Sequence, residues 1–244
     1  MIRNVINENT RICLIGDSIT QGMGSTGFIM YSVTENGTEI SVRGNGPEYS
    51  DADKNYKVGQ FLWEHDTRRW YEALSGRGWA HLLKDFLESR FHCTVRNYGM
   101  SGINSADLFG FVDELTADFD VVFLTIGTND RGGTKETFYS NLKKCVEQLK
   151  AAGKEVILMA NIPASVSYER NCRFHMEDVA NIVSKVSDET NVIFISLYDS
   201  FIKYCESTNT ELDTLLVDGL HPNDDGYLVM FRIICEFVVR PKAR

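Results

Sequence analysis

Short apolar runs alternate along this chain with segments of helical periodicity, and no other feature constrains the fold as tightly. The runs lack the alternating polar positions of a half-exposed strand, so they predict strands that are covered on both faces. These predicted strands span residues 11–15, 93–97, 120–126, 155–160 and 191–197. The predicted helices span residues 78–90, 105–116, 134–152, 174–189, 198–207 and 223–238. Repeated strand–helix alternation predicts an α/β fold, a doubly wound parallel sheet with helices on both faces.

One segment interrupts this alternation. A direct connection from a strand to the next helix takes a handful of residues, but about fifty follow the first strand before the next predicted helix. Two β-rich arms, residues 28–34 and 39–43, flank Asn36 and Gly37, a dipeptide typical of tight hairpin turns. We therefore interpret residues 23–77 as an insertion at the rim of the sheet that contains a β-hairpin.

Composition excludes some classes of protein. The chain has 244 residues, 43% of them hydrophobic, which is enough for the core of a single domain over residues 1–244. Its 34 acidic and 25 basic residues give a formal net charge of -9, without a Lys- or Arg-rich run, which argues against nucleic-acid binding. No apolar run approaches the ~20 residues that cross a bilayer, and the polar start lacks a signal-peptide core. We expect a cytoplasmic protein without a membrane partner; the sequence indicates no oligomeric state.

Four polar blocks follow predicted strands or precede the last predicted helix. They are Gly-Asp-Ser after the first strand, NYGMSGIN after the second, IGTNDRGG after the third, and DGLHPNDDGY before the final helix. Ligands of open α/β sheets bind outside the carboxyl ends of the strands. We therefore expect these blocks to converge at one edge of the sheet, although they are spread over about two hundred residues.

The four blocks contain a candidate for each role in nucleophilic catalysis. Ser18 follows a strand and precedes a helix start, where a hydroxyl is exposed near N–H groups that favour negative charge. Asp218 stands three residues before His221, close enough to orient its ring so that Nε2 can accept the serine proton. Gly102 and Asn129 offer a backbone and a side-chain N–H to an oxyanion. Each residue alone also fits a capping or turn role, and their joint occurrence favours catalysis.

The blocks also resemble those of a known family, the SGNH hydrolases, which are GDSL-type esterases and lipases. The matching stretches are GDSIT, YGMSGIN, GTND and DGLHPN, in the family's order and over essentially the whole chain outside residues 23–77. Ile19 stands where the family's name has leucine. Since this side chain should point into the core, the difference leaves the resemblance intact.

The resemblance implies a three-layer, flavodoxin-like α/β/α sandwich with a five-stranded parallel sheet, and a serine-dependent ester hydrolase. It implies that Ser18 is the nucleophile, His221 the general base and acid, and Asp218 the residue that orients His221. The implied oxyanion hole consists of the backbone N–H groups of Ser18 and Gly102 and the side chain of Asn129. No metal or organic cofactor is expected.

A metal site is an alternative at the same edge. Asp17 and Asp130, with His221, could imitate the cluster of a metal-dependent phosphoesterase, but such sites need more His and Asp residues at strand ends than this chain offers. We interpret both carboxylates as hydrogen-bond acceptors for loop N–H groups. Six cysteines without a CxxC pair likewise favour free, mostly buried thiols over a disulfide set or a zinc site.

The substrate is less well defined than the chemistry. The insertion carries aromatic residues among polar ones, a mixture that suits the apolar faces and hydroxyl edges of sugars, and no long apolar stretch is available to cover a fatty chain. We expect Trp63, His65 and Trp70 to contact a carbohydrate ester with a short acyl group such as acetyl. Packing onto the sheet or a subunit contact also explains these aromatics. The alternatives are an acyl-CoA thioesterase or lysophospholipase-type acylhydrolase, and a non-catalytic carbohydrate-binding descendant.

Overall fold

A five-stranded parallel sheet lies at the centre of the protein, whose computed structural model describes residues 6–35, 38–43 and 73–239. The strands of the described chain are β1 (Arg11–Gly16), β2 (Phe28–Glu35), β3 (Thr38–Arg43), β4 (Leu74–Ser75), β5 (Thr94–Gly99), β6 (Val121–Thr125), β7 (Glu155–Ala160) and β8 (Ile193–Ser196). The central sheet has the order β5-β1-β6-β7-β8, and each pair of neighbours is parallel. This is the flavodoxin-like order, and it confirms the parallel sheet expected from the sequence.

Helices cover both faces of this sheet. The α-helices of the described chain are α1 (Ser18–Gln21), α2 (Trp79–Phe91), α3 (Ser105–Phe109), α4 (Val112–Thr116), α5 (Lys135–Ala151), α6 (Val166–Glu169), α7 (Met176–Thr190), α8 (Leu197–Thr208) and α9 (Asp224–Val239). On one face α9 packs against α2 and α8, and on the other α5 packs against α3, α4 and α7. Within the described ranges, none of these helices combines the length and hydropathy that crossing a lipid bilayer requires.

The apolar runs occupy the central strands. Every residue of β6 is buried, and so is every residue of β1 and β7 after the first. The edge strand β5 instead alternates between buried and more exposed positions. Side chains of α2 cover its outer edge, where the Lys84 ammonium donates to the Val95 carbonyl and the Glu88 carboxylate accepts from the Val95 N–H, both at 2.9 Å. The edge of β5 is thus protected from pairing with another chain.

The main differences from the predicted elements concern short helices. The helix predicted at residues 105–116 is two helices, α3 and α4, because α3 ends at Gly110. A helix start was expected at Ser18, and the helix there, α1, has only four residues. The four-residue helix α6 and the 3₁₀ helices Thr128–Gly132 and Leu212–Leu215 were not predicted. Elements of this length are too short to show a helical period in the sequence.

A second, antiparallel sheet is formed after β1. Strand β2 pairs with β3 on one edge and with β4 on the other. β2 and β3 coincide with the two arms predicted for a hairpin, but the Asn36-Gly37 turn and residues 44–72 lie outside the described residues. The interpretation of residues 23–77 as an insertion therefore stays a prediction.

The strand order creates a switch point between β1 and β6. From β1 the chain crosses to β5 on one side, and from β5 it returns past β1 to β6 on the other. Loops separate at such a point and leave a crevice outside the carboxyl ends of the strands. Ser18 follows β1 and Asn129 follows β6, so two of the four polar blocks flank this crevice.

Candidate active site

Ser18 is the first residue of α1, and Asp17 alone separates it from the end of β1. The expectation of an exposed hydroxyl was wrong, because only 5% of the Ser18 surface is exposed. The Asp17 carboxylate caps α1 by accepting a hydrogen bond from the Ile19 N–H at 3.0 Å. The helix has four residues and ends at Gly22. The Gly-Asp-Ser block therefore forms the sharp turn from strand to helix that the sequence predicted.

This turn packs directly against the end of β5. A Cβ atom on Gly99 would lie 2.2 Å from the backbone nitrogen of Gln21, a separation that no side chain tolerates. The Gln21 side chain accepts hydrogen bonds from the N–H and the hydroxyl of Ser101, at 2.9 and 2.5 Å. The close approach and these two bonds hold α1 against the segment that carries Gly102.

The structure brings Ser18, His221 and Asp218 into one hydrogen-bonded series. The Oγ of Ser18 lies 2.8 Å from Nε2 of His221, and Nδ1 of His221 lies 2.7 Å from Oδ2 of Asp218. Because a carboxylate can only accept, Nδ1–H donates to Asp218, which leaves Nε2 to accept from the serine hydroxyl. Oδ1 of Asp218 accepts from the N–H groups of Leu220 and His221, at 3.0 and 2.8 Å. This arrangement fixes both the position and the tautomer of the ring.

The pKa values of Asp17 and Asp218 are shifted in opposite directions. Burial acts to raise the pKa of Asp218, but the backbone N–H and the ring of His221 outweigh it and hold that pKa below its ordinary value. Complete burial raises the pKa of Asp17, although Thr128, Ile19 and Asn161 all donate hydrogen bonds to it. Asp218 is therefore the carboxylate that stays ionised most readily beside His221.

Contacts between α9 and the segment after α1 hold His221 opposite Ser18. The Tyr227 hydroxyl, on a fully buried side chain, donates to the Met23 carbonyl at 2.6 Å. The Asp224 carboxylate accepts from the Thr26 N–H at 2.7 Å. Since α9 follows His221 by only a few residues, these bonds set the distance between the histidine and the serine.

The other two predicted oxyanion residues lie on neighbouring segments. Gly102 has a φ of +79°, a left-handed conformation that favours glycine, and nothing lies within 4 Å of where a Cβ would be. Asn129 lies in the 3₁₀ helix after β6, and its Nδ2 donates to the Ile103 carbonyl at 2.7 Å. One amide hydrogen of Asn129 thus fastens the Gly102 turn, and the second is left for another acceptor.

A buried polar network beneath Ser18 was not predicted in full. The Nδ2 of Asn161 donates to the Asp17 carboxylate at 3.3 Å and lies 2.9 Å from the Thr128 hydroxyl. Asn161 directly follows β7 and is completely buried. A polar residue placed directly after an apolar strand was the available signal, because the same pattern marked the other blocks. The network joins the ends of β1, β6 and β7.

Asp130 accepts hydrogen bonds from the first residue of α3. Its carboxylate accepts from the N–H of Ser105 at 3.2 and 3.1 Å and from the Ser105 hydroxyl at 2.5 Å. The prediction of loop N–H donors was wrong in this respect: Asp130 and Asp17 accept from Ser105 and Ile19, which lie in the first turns of α3 and α1, where N–H groups have no partner within the helix. In the part of the chain that the structure describes, no group of three or more His, Cys, Asp or Glu side chains could hold a metal ion.

The predicted substrate contacts Trp63, His65 and Trp70 lie outside the described residues. The catalytic and oxyanion candidates are all described.

The sequence model of the GDSL-like lipase/acylhydrolase family matches residues 14–229, which include all four polar blocks. The chain belongs to this family. Membership makes the domain a carboxylic-ester hydrolase, the class of enzyme that the resemblance implied.

Two relatives of this GDSL-family chain were found by sequence. An arylesterase from Vibrio mimicus is 23% identical over 176 residues, which cover 70% of this chain and 82% of the arylesterase. An N-acylneuraminate cytidylyltransferase from Escherichia coli O18:K1:H7 (strain RS218 / NMEC) is 31% identical over 152 residues, or 59% of this chain. The match covers 35% of the cytidylyltransferase, so this chain spans about a third of the length of that relative.

Solved structures share the fold. The acetylxylan esterase from Geobacillus stearothermophilus has a TM-score of 0.64 and 20% identity, with 98% of each chain covered. Catalytic mutants of that esterase, in which a histidine, an aspartate or a serine is replaced, have TM-scores of 0.64, 0.65 and 0.65. At this level of identity the similarity shows a common GDSL-type fold.

Proposed function

We propose that this chain is a serine esterase that uses Ser18, His221 and Asp218 as a catalytic triad to remove short acyl groups such as acetyl from carbohydrates. The observation that supports the triad most directly is the hydrogen-bonded series from the Ser18 hydroxyl through the His221 ring to the Asp218 carboxylate, with distances of 2.8 and 2.7 Å. A serine with a purely structural role in a turn needs no base aligned with its hydroxyl.

The reaction proceeds in two halves. The Oγ of Ser18 attacks the ester carbonyl while Nε2 of His221 takes the hydroxyl proton; the bond to the alcohol oxygen then breaks, and His221 returns the proton to that oxygen. Water next attacks the acyl-enzyme, gives a proton to His221, and releases the acid as Ser18 regains its hydrogen. Asp218 stabilises the imidazolium that forms in both halves.

The oxyanion that forms in each half is proposed to rest on three donors. These are the backbone N–H groups of Ser18 and Gly102 and the second amide hydrogen of Asn129. Asn129 is suited to this role because its other amide hydrogen is held by the Ile103 carbonyl at 2.7 Å, which restricts rotation of the side chain. Removal of one such donor costs about 3–4 kcal/mol of transition-state stabilisation.

A carbohydrate substrate is supported by two independent observations. One is the mixture of aromatic and polar residues in the sequence around Trp63, His65 and Trp70. We propose that these three residues form one wall of the substrate site. We also propose that they belong to an insertion, residues 23–77, within a single domain. The other is that two of the similar proteins are named for carbohydrates, an acetylxylan esterase and an N-acylneuraminate cytidylyltransferase. Cytidylyl transfer is not proposed, because the match covers 35% of that relative.

The triad is tested with Ser18→Ala and a small ester, p-nitrophenyl acetate. We expect the variant to lose at least about a thousand-fold in kcat and to resist labelling by a fluorophosphonate that inactivates the wild type. EDTA should leave the wild-type rate unchanged. Wild-type turnover by Ser18→Ala would overturn the assignment.

An aryl ester is the second candidate substrate, because the Vibrio mimicus arylesterase matches 70% of this chain. A panel of acetylated xylo-oligosaccharides, acetyl-CoA and p-nitrophenyl esters of increasing chain length separates the alternatives. We expect the highest kcat/KM for an acetylated oligosaccharide. A strong preference for long acyl chains or for acetyl-CoA would exclude the carbohydrate assignment.

A further inference from the structure

A pocket of about 520 Å³, largely open to solvent, adjoins Asp218. It is lined by Ser167, Tyr168, Asn171, Cys172 and Asp218, and we call it the Asp218 cavity. Its volume is within the range of roughly 300–1,000 Å³ that small-molecule sites occupy. The roles given above to Ser18, His221 and Asp218 do not use this space.

The position of the Asp218 cavity relates it to the leaving group of the proposed reaction. His221 must return a proton to the alcohol oxygen, so that oxygen lies within hydrogen-bond reach of Nε2 in the reacting complex. Asp218 binds the opposite edge of the same ring, at 2.7 Å from Nδ1. The scissile bond therefore lies next to one edge of the His221 ring. The Asp218 cavity lies next to the residue that is hydrogen-bonded to the other edge. An alcohol part long enough to continue past the His221 ring on this side would reach the Asp218 cavity.

The lining of the cavity suits an uncharged polar ligand. Tyr168 is 37% exposed, and Ser167 and Asn171 are exposed residues. The Ser167 hydroxyl lies 2.9 Å from the Ser165 hydroxyl, which leaves it capacity for one further hydrogen bond. Aromatic faces pack against the C–H faces of a sugar, while hydroxyl and amide groups bond to its hydroxyls. Asp218 is the single charged residue among the five that line the cavity, and its negative charge disfavours the phosphates of coenzyme A.

Several contacts from neighbouring residues support the wall of the cavity that carries Tyr168. The Arg131 guanidinium lies 5.5 Å from the centre of the Tyr168 ring and 3.1 Å from the Glu169 carboxylate. The Ser165 N–H donates to the Gly219 carbonyl at 2.8 Å, so α6 is also joined to the loop of Asp218. When the side chains that line a site are already held in place, less of their conformational entropy is lost on ligand binding.

From this arrangement we propose that the Asp218 cavity is the subsite for a sugar residue on the alcohol side of the scissile ester, with Tyr168 as its stacking platform and Asn171 as its polar contact. The proposal rests on the proposed function and extends it, because it names the part of the chain that selects an oligosaccharide over a small ester.

The first test compares two acetyl esters that differ in the alcohol, p-nitrophenyl acetate and acetylated xylotetraose. Tyr168→Ala should lower kcat/KM for the oligosaccharide about five- to ten-fold, mainly through KM, and change the rate on p-nitrophenyl acetate less than about two-fold. Tyr168→Phe should behave as wild type. Val166→Ala is the matched control, because Val166 lies on the same helix, is 76% exposed and does not line the cavity.

Equal losses on both esters would overturn the subsite and assign Tyr168 to the support of Asp218 instead. An unchanged rate on the oligosaccharide in both Tyr168→Ala and Asn171→Ala would also overturn it.

Binding of an unacetylated oligosaccharide to an inactive variant tests the subsite independently of the proposed function. Xylotetraose without acetyl groups is titrated calorimetrically into Ser18→Ala and into the Ser18→Ala, Tyr168→Ala double variant. Saturable binding to the first that weakens at least five-fold in the second supports the subsite, whichever ester proves to be the best substrate. Absence of binding to both at millimolar xylotetraose overturns it. Full activity of Ser18→Ala would instead overturn the proposed function.

Cys172 allows a test by chemical modification of the wild-type chain, with one conservative variant as the control. It is partly exposed in the cavity, whereas burial raises the pKa of Cys145 and Cys235 to about 12 and suppresses their reactive thiolates. A bulky methanethiosulfonate reagent should abolish hydrolysis of acetylated xylotetraose and spare that of p-nitrophenyl acetate. Cys172→Ser should be insensitive. Labelling at Cys172 that leaves oligosaccharide hydrolysis unchanged would overturn the subsite.

Discussion

The hydroxyl oxygen of Ser18 lies 2.8 Å from Nε2 of His221, although the two residues are 203 positions apart in the chain. Ser18 lies at the start of α1, just after strand β1, and His221 lies just before the last helix of the described chain, α9. The separation depends on the docking of α9, which the Tyr227 hydroxyl fastens to the Met23 carbonyl at 2.6 Å.

Asp218→Asn should lower kcat by about 10³–10⁴-fold and leave KM nearly unchanged. The amide cannot stabilise the imidazolium as a carboxylate does, and its N–H₂ group favours the wrong tautomer of His221. Steady-state kinetics with p-nitrophenyl acetate measure the effect, with Asp213→Asn, an exposed aspartate nearby in the chain, as the control. A loss of less than ten-fold would exclude Asp218 from the triad.

Asn129→Ala should lower kcat by about 10²–10³-fold, since the variant loses an oxyanion donor and frees the Ile103 carbonyl that now accepts from Nδ2 at 2.7 Å. The rate is measured per active site after fluorophosphonate titration. Urea unfolding of the same variant shows whether the protein remains folded. A folded variant with wild-type kcat would contradict the oxyanion role.

The stability difference between wild type and Asp17→Asn should depend on pH. Burial raises the pKa of Asp17 above its ordinary value of 3.8. The stability that this group contributes is therefore fully present below pH 3.8 and is lost as the pH rises through the folded-state pKa. The difference in the free energy of unfolding between wild type and Asp17→Asn should therefore decrease as the pH rises from 4 towards neutrality. Urea unfolding at a series of pH values measures the difference, and a constant difference would contradict this electrostatic account.

Arg131→Met should destabilise the fold by about 3–5 kcal/mol, because it leaves the carboxylate of Glu169 without its partner in a largely buried site. The Arg131 side chain is 2% exposed and lies 3.1 Å from the Glu169 carboxylate. In the double variant with Glu169→Leu, most of the loss should be recovered. Lys185→Met, which removes one partner of an exposed pair with Glu189, should cost less than about 1 kcal/mol. Similar losses in both single variants would contradict the role of burial.

Most of the central sheet could be predicted from the sequence because buried strands need unbroken apolar runs. β1, β6 and β7 have such runs and lie at the centre of the sheet. The helix expected at 105–116 was wrong as a single element, since Gly110 ends α3. Short helices such as α6 (Val166–Glu169) have too few residues to show a helical period in the sequence. Because α6 was not predicted, the ion pair between its Glu169 and Arg131 was not predicted either.

The sequence by itself determined which residue types stand at the strand ends and the order of the four blocks, because strand and helix periodicities and short motifs are local properties of the chain. It indicated Ser18, His221 and Asp218 as candidates, but each also fitted a structural role. Only the tertiary structure decided that Nε2 of His221 faces the Ser18 hydroxyl, that Asn161 is buried beneath it, and that a cavity opens beside Asp218. These are contacts between segments that are distant in the chain, and they depend on strand order and helix docking rather than on local pattern.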